Sequence, residues 1–190
     1  TKPETARRVL QRMKTVFDHA CGRGLRTKGN PATGMRSLMR DQRAETKHFT
    51  AVPYMEISDL VLDLDQSNDV GALALLFATL TAMRSGPIRA ACWSEFDRSL
   101  QTWTIPAEKM KTRKEFSVPL SMPARSVLLR ANKHRTKASD LVFPSPSKPT
   151  RMISDATMRK LLQSKHPGAT VHGMRTSFRT WAAEIVRADH

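Results

Sequence analysis

Residues 70–83 read VGALALLFATLTAM, a stretch without a charged side chain. It is too apolar for a helix on the surface of a globular protein and too short to span a bilayer. We therefore predict a buried core helix, capped at its start by Asn68 and Asp69 and ending at Arg84. Residues 85–87 (SGP) follow and are a strong helix breaker.

Amphipathic helices are predicted on both sides of this core segment. Apolar residues recur there at spacings of three and four, the period of a helix with one buried face. Before the core segment, we predict a helix over 1–21, with Thr1 and Glu4 as a capping box, and a short helix with Met35, Leu38 and Met39. Next to the core segment and after it, helices are predicted over 56–66 and 121–130, and another is begun by Ser154 and Asp155. A last helix runs to the end of the chain with Met174, Phe178, Trp181 and Ile185 on its apolar face.

Two short segments alternate apolar and polar residues as β-strands do. Residues 102–105 and 116–120 form such a pair, and the link between them is rich in Lys and Arg. Residues 141–143 could add a strand. The expected fold class is therefore mainly α with a small antiparallel β-sheet, an α+β domain.

The composition points to a polyanionic partner. The 190 residues include 32 Lys and Arg against 17 Asp and Glu, for a net charge of +15 and a pI near 10.7. The 39% of hydrophobic residues fits a globular protein, and no run is long enough for a membrane span. Cys21 and Cys92 form no disulfide framework and no zinc constellation, so a reducing, cytoplasmic setting is expected. A ribosome-associated or merely soluble basic protein would have the same charge.

The charge is divided unevenly along the chain. Residues 1–50 are net +8, residues 51–100 net −4 and residues 101–190 net +11. The polar segment 41–53 lacks periodicity and is interpreted as a linker, which divides the chain into domains 1–49 and 50–190. Two basic blocks around an apolar one suit a protein that contacts nucleic acid from two sides.

Four side chains are candidates for a phosphate site, although each has a simpler explanation. Arg84 fits a solvated helix end, and Lys111 fits a solvated turn at the tip of a basic hairpin. His172 and Arg175, at i and i+3, fit a helix cap beside a surface arginine. Together, however, two arginines can bind two phosphate oxygens, a lysine can protonate a leaving alkoxide, and a histidine can transfer a proton near neutral pH.

No metal ion or other cofactor is predicted for this chemistry. Phosphoryl transfer can be stabilised by positioning and electrostatics alone. One acidic cluster could in principle bind the two metal ions of a nuclease, but it is expected to be a solvated helix face. It comprises Asp59, Asp63, Asp65 and Asp69.

Several segments, in order, resemble the tyrosine recombinases, also called phage integrases, and most closely those of temperate phages and genomic islands. Residues 3–8 through 30–32 resemble the last part of that family's core-binding DNA-binding domain. The catalytic-domain segments are 80–86 (LTAMRSG) with 93–97 (WSEFD), 103–111 (WTIPAEKMK) with 118–121 (VPLS), 142–145 (VFPS), and 171–182 (VHGMRTSFRTWA).

The resemblance implies site-specific DNA recombination without metal or nucleotide, through a 3′-phosphotyrosine and a free 5′-hydroxyl. It implies that Arg84 and Arg175 clamp the scissile phosphate. Lys111 would protonate the leaving 5′-oxygen, and His172 would assist proton transfer. Pro87 stands where the family's first arginine box usually has Glu.

The resemblance also implies partners and a longer parent protein. The partners would be double-stranded attachment-site DNA passing between the two domains, a tetrameric synaptic complex, and accessory proteins for directionality and DNA bending. The setting would be the bacterial cytoplasm, at the nucleoid. The nucleophilic tyrosine would lie beyond His190, because Tyr54 precedes Arg84 and is interpreted as a linker or packing residue. We therefore expect the 190-residue chain alone to form no covalent adduct with a suicide DNA substrate.

Other functions remain open on the sequence. A non-catalytic basic DNA-binding module would leave the four candidate side chains scattered over different faces. A metal-dependent nuclease would bind divalent ions at the Asp59–Asp69 cluster, and an RNA-binding protein would show no preference for DNA.

Overall fold

The computed structural model describes residues 3–38, 50–110 and 112–186. The chain forms two compact units, Thr1–His48 and Phe49–His190. Residues 41–49 of the predicted linker lie outside the described residues.

The first unit is built on one long helix. Helix α1 spans Pro3–Gly22, and the short helix α2 spans Met35–Leu38. Between them Asn30 donates from Nδ2 to Lys14 O at 2.9 Å and to Asp18 Oδ1 at 2.7 Å, which fastens the turn to α1. Thr1 of the predicted capping box lies outside the described residues, and Glu4 accepts a hydrogen bond from Arg8 Nε at 2.8 Å.

The second unit is arranged around the buried helix predicted from residues 70–83. Helix α4 spans Val70–Thr81, and its side chains from Leu73 to Leu75 are wholly buried. Helices α3, α6 and α7 pack around it. The helices of this unit are α3 (Ile57–Asp65), α4, α5 (Ser85–Arg89), α6 (Met122–Ala131), α7 (Asp155–Lys165) and α8 (Gly173–Trp181), with a π-helical turn at Ala182–Val186.

The predicted hairpin is confirmed and closes one side of the core. Strand β1 (Thr102–Ile105) pairs antiparallel with β2 (Phe116–Pro119), and Trp103 of β1 is fully buried. The Phe77 ring of α4 lies 5.5 Å from Trp103 and 5.8 Å from Phe143, centroid to centroid. This aromatic cluster fixes the hairpin to the central helix.

The strand expected at residues 141–143 does not form. Leu141 makes a single bridge to Cys92, and Phe143 faces the core in a bend. The second hairpin follows instead, with β3 (Pro144–Ser145) antiparallel to β4 (Lys148–Met152). A buried apolar triplet gives no period from which a strand and a bend could be distinguished.

The prediction that the core helix runs to Arg84 and then meets a breaker is wrong. Helix α4 ends at Thr81, where Ala82 adopts left-handed geometry with φ 49°. A separate helix, α5, then begins at Ser85 and contains the supposed breaker. Pro87 lies in the first turn of α5, where a missing N–H breaks no intrahelical bond. The fully buried Ile88 fastens α5 to the core.

The apolar face predicted for the last helix is only partly inside. Met174 is buried, but Phe178 is 50% exposed and Trp181 40% exposed. The face that packs inward instead combines Gly173, Met174 and Ser177, whose hydroxyl donates to Val52 O. Periodicity therefore predicted the helix correctly and its buried face incorrectly.

Among the helices of the described ranges, none combines the length and the apolar character that a membrane crossing requires.

Candidate functional site

Arg175 of α8 is held against the end of the core helix. Its Nη1 donates to Ala82 O at 2.6 Å, across 93 positions of sequence. The left-handed turn at Ala82 ends α4, so this carbonyl is not used by a following helical turn. Burial lowers the pKa of Arg175, and the positive charges of Arg84 and Arg179 lower it further.

Arg84 lies two residues beyond the carbonyl that holds Arg175. It is the extended residue before α5, with φ −70° and ψ 152°, and its side chain is exposed. Its charge is near enough to disfavour protonation of Arg175. The structure therefore places two of the predicted site residues, which are far apart in sequence, within range of each other's charge.

Neither of these guanidinium groups is neutralised within the described part of the chain. Arg84 and Arg175 form no ion pair there. The nearby Arg89 of α5 does form one, with 3.8 Å between its Nη1 and Asp155 Oδ1. Two close guanidinium groups without a carboxylate repel each other. A bound phosphate would relieve this repulsion and could accept hydrogen bonds from both forks.

His172 stands at the start of α8, on the same helix as Arg175. It is exposed, and its carbonyl accepts the Arg175 backbone N–H at 3.2 Å. His172, Arg175 and Arg179 occupy positions i, i+3 and i+7, which share one helix face. Arg179 was not among the predicted site residues. Only its helical spacing from His172 and Arg175 could have indicated that it shares their face.

Gly173 allows α8 to begin against the chain that enters the second unit. A Cβ at this position would lie 2.6 Å from Thr50 O and 2.9 Å from Ala51 Cα. Both are backbone atoms, which cannot move aside as a flexible side chain can. The missing side chain therefore sets how closely the helix carrying Arg175 approaches the core.

We expect Gly173→Ala to destabilise the chain by about 1–3 kcal/mol, because the new methyl overlaps fixed backbone. Urea unfolding followed by circular dichroism would measure the loss. Gly86→Ala is the matched control, since no atom lies within 4 Å of a Cβ built there, and it should leave the unfolding midpoint unchanged or slightly raised. Equal midpoints for the two variants would contradict the close approach at Gly173.

Lys111, the fourth predicted site residue, lies outside the described residues. The chain on each side of it is described. The 3-10 turn Ala107–Lys109 precedes it, and Arg113 N–H donates to Met110 O at 3.0 Å.

A partly buried ion pair just before Lys111 was not predicted from the sequence. Lys109 Nζ binds the Glu95 carboxylate and donates to Ala90 O at 2.6 Å. Trp103 Nε1 donates to the same carboxylate at 2.9 Å. The run KMKTRK contains several cations, and nothing in its pattern shows which one turns inward.

The remaining candidates have local roles. Asp63 pairs with Lys165 and Asp65 pairs with Arg130, in agreement with a charged helix face. Within residues 3–38, 50–110 and 112–186, no three or more His, Cys, Asp or Glu side chains are grouped as a metal site would require. Tyr54 bonds Glu184, and this hydrogen bond raises the pKa of the phenol, the opposite of what an activated nucleophile needs.

Curated relatives of this chain are integrases. Prophage integrase IntZ of Escherichia coli strain K12 is 31% identical over 182 residues, covering 95% of this chain and 44% of that protein. The integrase of Enterobacteria phage P4 is 27% identical over 195 residues, again covering 95% and 44%. The chain therefore spans less than half the length of these relatives.

Solved structures share its fold at low sequence identity. The Tn1549 transposon integrase in complex with transposon right end DNA aligns with a TM-score of 0.72 at 13% identity, covering 98% of this chain and 68% of that one. A lambda integrase dimer bound to a COC′ core site aligns with a TM-score of 0.66 at 17% identity, covering 97% and 68%. The phage integrase family model matches residues 55–186. Since this match takes in most of the chain and all of α3 to α8, the chain belongs to the phage integrase family, the tyrosine recombinases.

Proposed function

We propose that this chain forms the DNA-binding and phosphate-binding part of a site-specific recombinase that integrates and excises a mobile element. The observation that carries the proposal is the convergence of Arg84 and Arg175, which the fold brings together without a neutralising carboxylate among the described residues. A pair of this kind suits a phosphodiester whose negative charge increases in the transition state.

The proposed reaction is a transfer of the phosphoryl group from DNA to a tyrosine and back. The tyrosine oxygen bonds to phosphorus while the bond from phosphorus to the 5′-oxygen breaks, leaving a 3′-phosphotyrosine. Arg84 and Arg175 bind the two non-bridging oxygens. Lys111 gives its proton to the departing 5′-oxygen, and His172 assists proton transfer at the tyrosine and the phosphate.

The attacking tyrosine is proposed to lie outside residues 1–190. Tyr54 is the only tyrosine within them, and its hydroxyl is engaged by Glu184. It also lines an apolar cavity of about 220 Å³ with Met174, Phe178 and Trp181, on the face of α8 away from the basic positions. Curated relatives more than twice as long leave room for such a residue.

The partners follow from the same proposal. Double-stranded attachment-site DNA would be bound by this chain, with the basic helix α1 in a core-binding domain that ends near residue 49. Lambda integrase has been solved as a tetramer bound to a Holliday junction, and a tetramer on DNA is proposed here too. Action at the bacterial nucleoid, and accessory proteins for directionality and DNA bending, belong to the same proposal.

A non-catalytic basic DNA-binding module is less well supported. Such a module needs only a cationic face and would not require that Arg175 be half-buried, bonded to Ala82 O and placed within range of a second arginine's charge. A two-metal nuclease is also less well supported, because Asp63 and Asp65 are engaged by basic partners.

The test uses the full-length gene product that contains this chain, with a nicked duplex carrying its attachment site. We expect a covalent protein–DNA adduct in the presence of EDTA and without nucleotide, visible as a shifted band in a denaturing gel. The released strand should carry a 5′-hydroxyl. Cleavage only with a divalent metal, or binding without any adduct, would contradict the proposal.

A further inference from the structure

Ser177 makes a buried polar contact on the inner face of α8. The residue is 3% exposed, and its hydroxyl donates to Val52 O, with Gly173 O as a second acceptor at 3.3 Å. Val52 is 1% exposed, so its carbonyl is shielded from water as well. Serine is seldom buried, and a buried carbonyl that loses its donor costs the free energy of its desolvation. The contact therefore holds α8 against the chain at Val52.

This contact lies one helical turn beyond the close approach at Gly173. There, Thr50 O and Ala51 Cα occupy the space that a Cβ would need, at 2.6 and 2.9 Å. Gly173 and Ser177 are at i and i+4, so they share one face of α8. Residues 50–52 thus contact that face at two points along the helix axis. Two such points fix the tilt of a helix and also its rotation about its own axis.

The rotation of α8 decides where the Arg175 side chain lies. Two positions along an α-helix differ by about 200° around its axis, so the Cα of Arg175 lies nearly opposite that of Ser177. A rotation of about 10° would move a Cα by about 0.4 Å, but an atom at the outer radius of the helix, about 6 Å from the axis, by about 1 Å. A shift of that size would take the 2.6 Å contact of Arg175 Nη1 with Ala82 O out of hydrogen-bonding range.

We propose that Ser177 is a positioning residue for Arg175, an inference that rests on the proposed function. Its hydroxyl fixes the rotation of α8, and this rotation keeps the Arg175 guanidinium on Ala82 O and available to the phosphate. Ser177 itself is buried and its hydroxyl is used by Val52 O, so it does not contact the DNA. The reaction therefore depends on Ser177 only through Arg175.

The test is a double-mutant cycle in the full-length gene product, with a nicked duplex that carries its attachment site. The variants are Ser177→Ala, Arg175→Ala and the two substitutions together. Single-turnover adduct formation at saturating DNA gives the rate, and fluorescence anisotropy gives the DNA affinity. Circular dichroism identifies a temperature at which every variant is folded, so that loss of stability does not enter the rates.

We expect Ser177→Ala to slow adduct formation by about 10- to 100-fold with unchanged DNA affinity, since a misplacement of about 1 Å can cost about 100-fold. In the Arg175→Ala background, the same substitution should change the rate by less than about twofold, because residues that act as a unit are not additive. This loss of effect is the result that a merely structural role would not produce.

Two further variants separate position from stability. Ser177→Thr keeps the hydroxyl, and the cavity of about 220 Å³ that Ser177 also lines has room for the added methyl, so its rate should be near that of wild type. Ser154→Ala is the matched control, because it removes another serine hydroxyl, the one that caps α7 by accepting the Thr157 N–H. It should lower the unfolding midpoint and leave the rate unchanged.

The other outcomes overturn either the inference or the function beneath it. A wild-type rate for Ser177→Ala, a change confined to DNA affinity, or equal slowing by Ser154→Ala would rule out a positioning role. An undiminished effect in the Arg175→Ala background would show that Ser177 does not act through Arg175. If Ser177→Thr were as slow as Ser177→Ala, side-chain packing and not the hydroxyl would be responsible. A wild-type rate for Arg175→Ala would instead contradict the proposed phosphate clamp, whatever Ser177→Ala does.

Discussion

Arg175→Ala is expected to slow DNA cleavage by the full-length protein by two to three orders of magnitude. Arg175 is the more constrained member of the arginine pair, since burial and its bond to Ala82 O fix its direction. Removing a preorganised donor to a developing negative charge costs about 3 kcal/mol of transition-state stabilisation. Single-turnover formation of the covalent adduct would measure the rate.

The lysine substitution separates charge from geometry at the same position. Arg175→Lys retains a cation and one donor, but it loses the planar fork that can bind Ala82 O and a phosphate oxygen together. We expect a rate between those of wild type and Arg175→Ala, with DNA affinity near wild type. If Arg175→Ala cleaved at the wild-type rate while remaining folded, Arg175 would not bind the scissile phosphate.

Phe77→Ala is expected to destabilise the 190-residue chain by about 3–5 kcal/mol. Phe77 is wholly buried in α4 and contacts the rings of Phe96, Trp103 and Phe143. Truncation removes these contacts and leaves a cavity that the surrounding rings can fill only in part. Thermal unfolding should show a fall in Tm of roughly 6 to 20 °C.

Phe178→Ala makes the same chemical change at an exposed site. Because Phe178 is 50% exposed in α8, its truncation should cost less than about 1 kcal/mol. A loss as large as that of Phe77→Ala would mean that the apolar face of α8 is covered, as the periodicity of residues 174–185 had indicated. Phe77→Leu, a milder change, keeps the comparison measurable if Phe77→Ala is unfolded at all temperatures.

The parts of the fold that were predicted correctly are those with a strong local signal. The uniform apolarity of residues 70–83 indicated the central helix, and alternation around Trp103 indicated the hairpin. Ser154 accepts the Thr157 N–H at 3.2 Å, so the start of α7 also follows from its own cap. Each of these depends on neighbours in sequence.

The parts that were missed depend on tertiary contacts. Helix α4 stops before Arg84 because Ala82 turns left-handed, and the hydroxyls of Thr79 and Thr81 bond back to carbonyls one turn earlier. An alanine carries no local signal for that turn. Pro87 was interpreted as a helix breaker, which it would be in the interior of a helix. It lies instead in the first turn of α5, whose position is set by the packing of Ile88.

The candidate site was predicted as a set of residue types and not as an arrangement. The motif resemblance named Arg84 and Arg175, but the bond from Arg175 to Ala82 O, two residues before Arg84, joins segments that are far apart in sequence. Lys109 was passed over because it lies in a run of similar cations, and its burial depends on Glu95 and Trp103 elsewhere in the chain.

The left-handed turn at Ala82 has a further consequence for motion. An alanine there costs about 1–2 kcal/mol relative to right-handed geometry, so the turn persists only while the surrounding core holds it. Segments within the best-packed helix of a domain open only when the whole domain unfolds, whereas loops open far more often. Since the Ala82 carbonyl that holds Arg175 directly follows such a helix, we expect the anchor of Arg175 to share the slow opening of the core. Local fluctuation at the protein surface would then move the exposed Arg84 side chain while the Arg175 anchor stays in place.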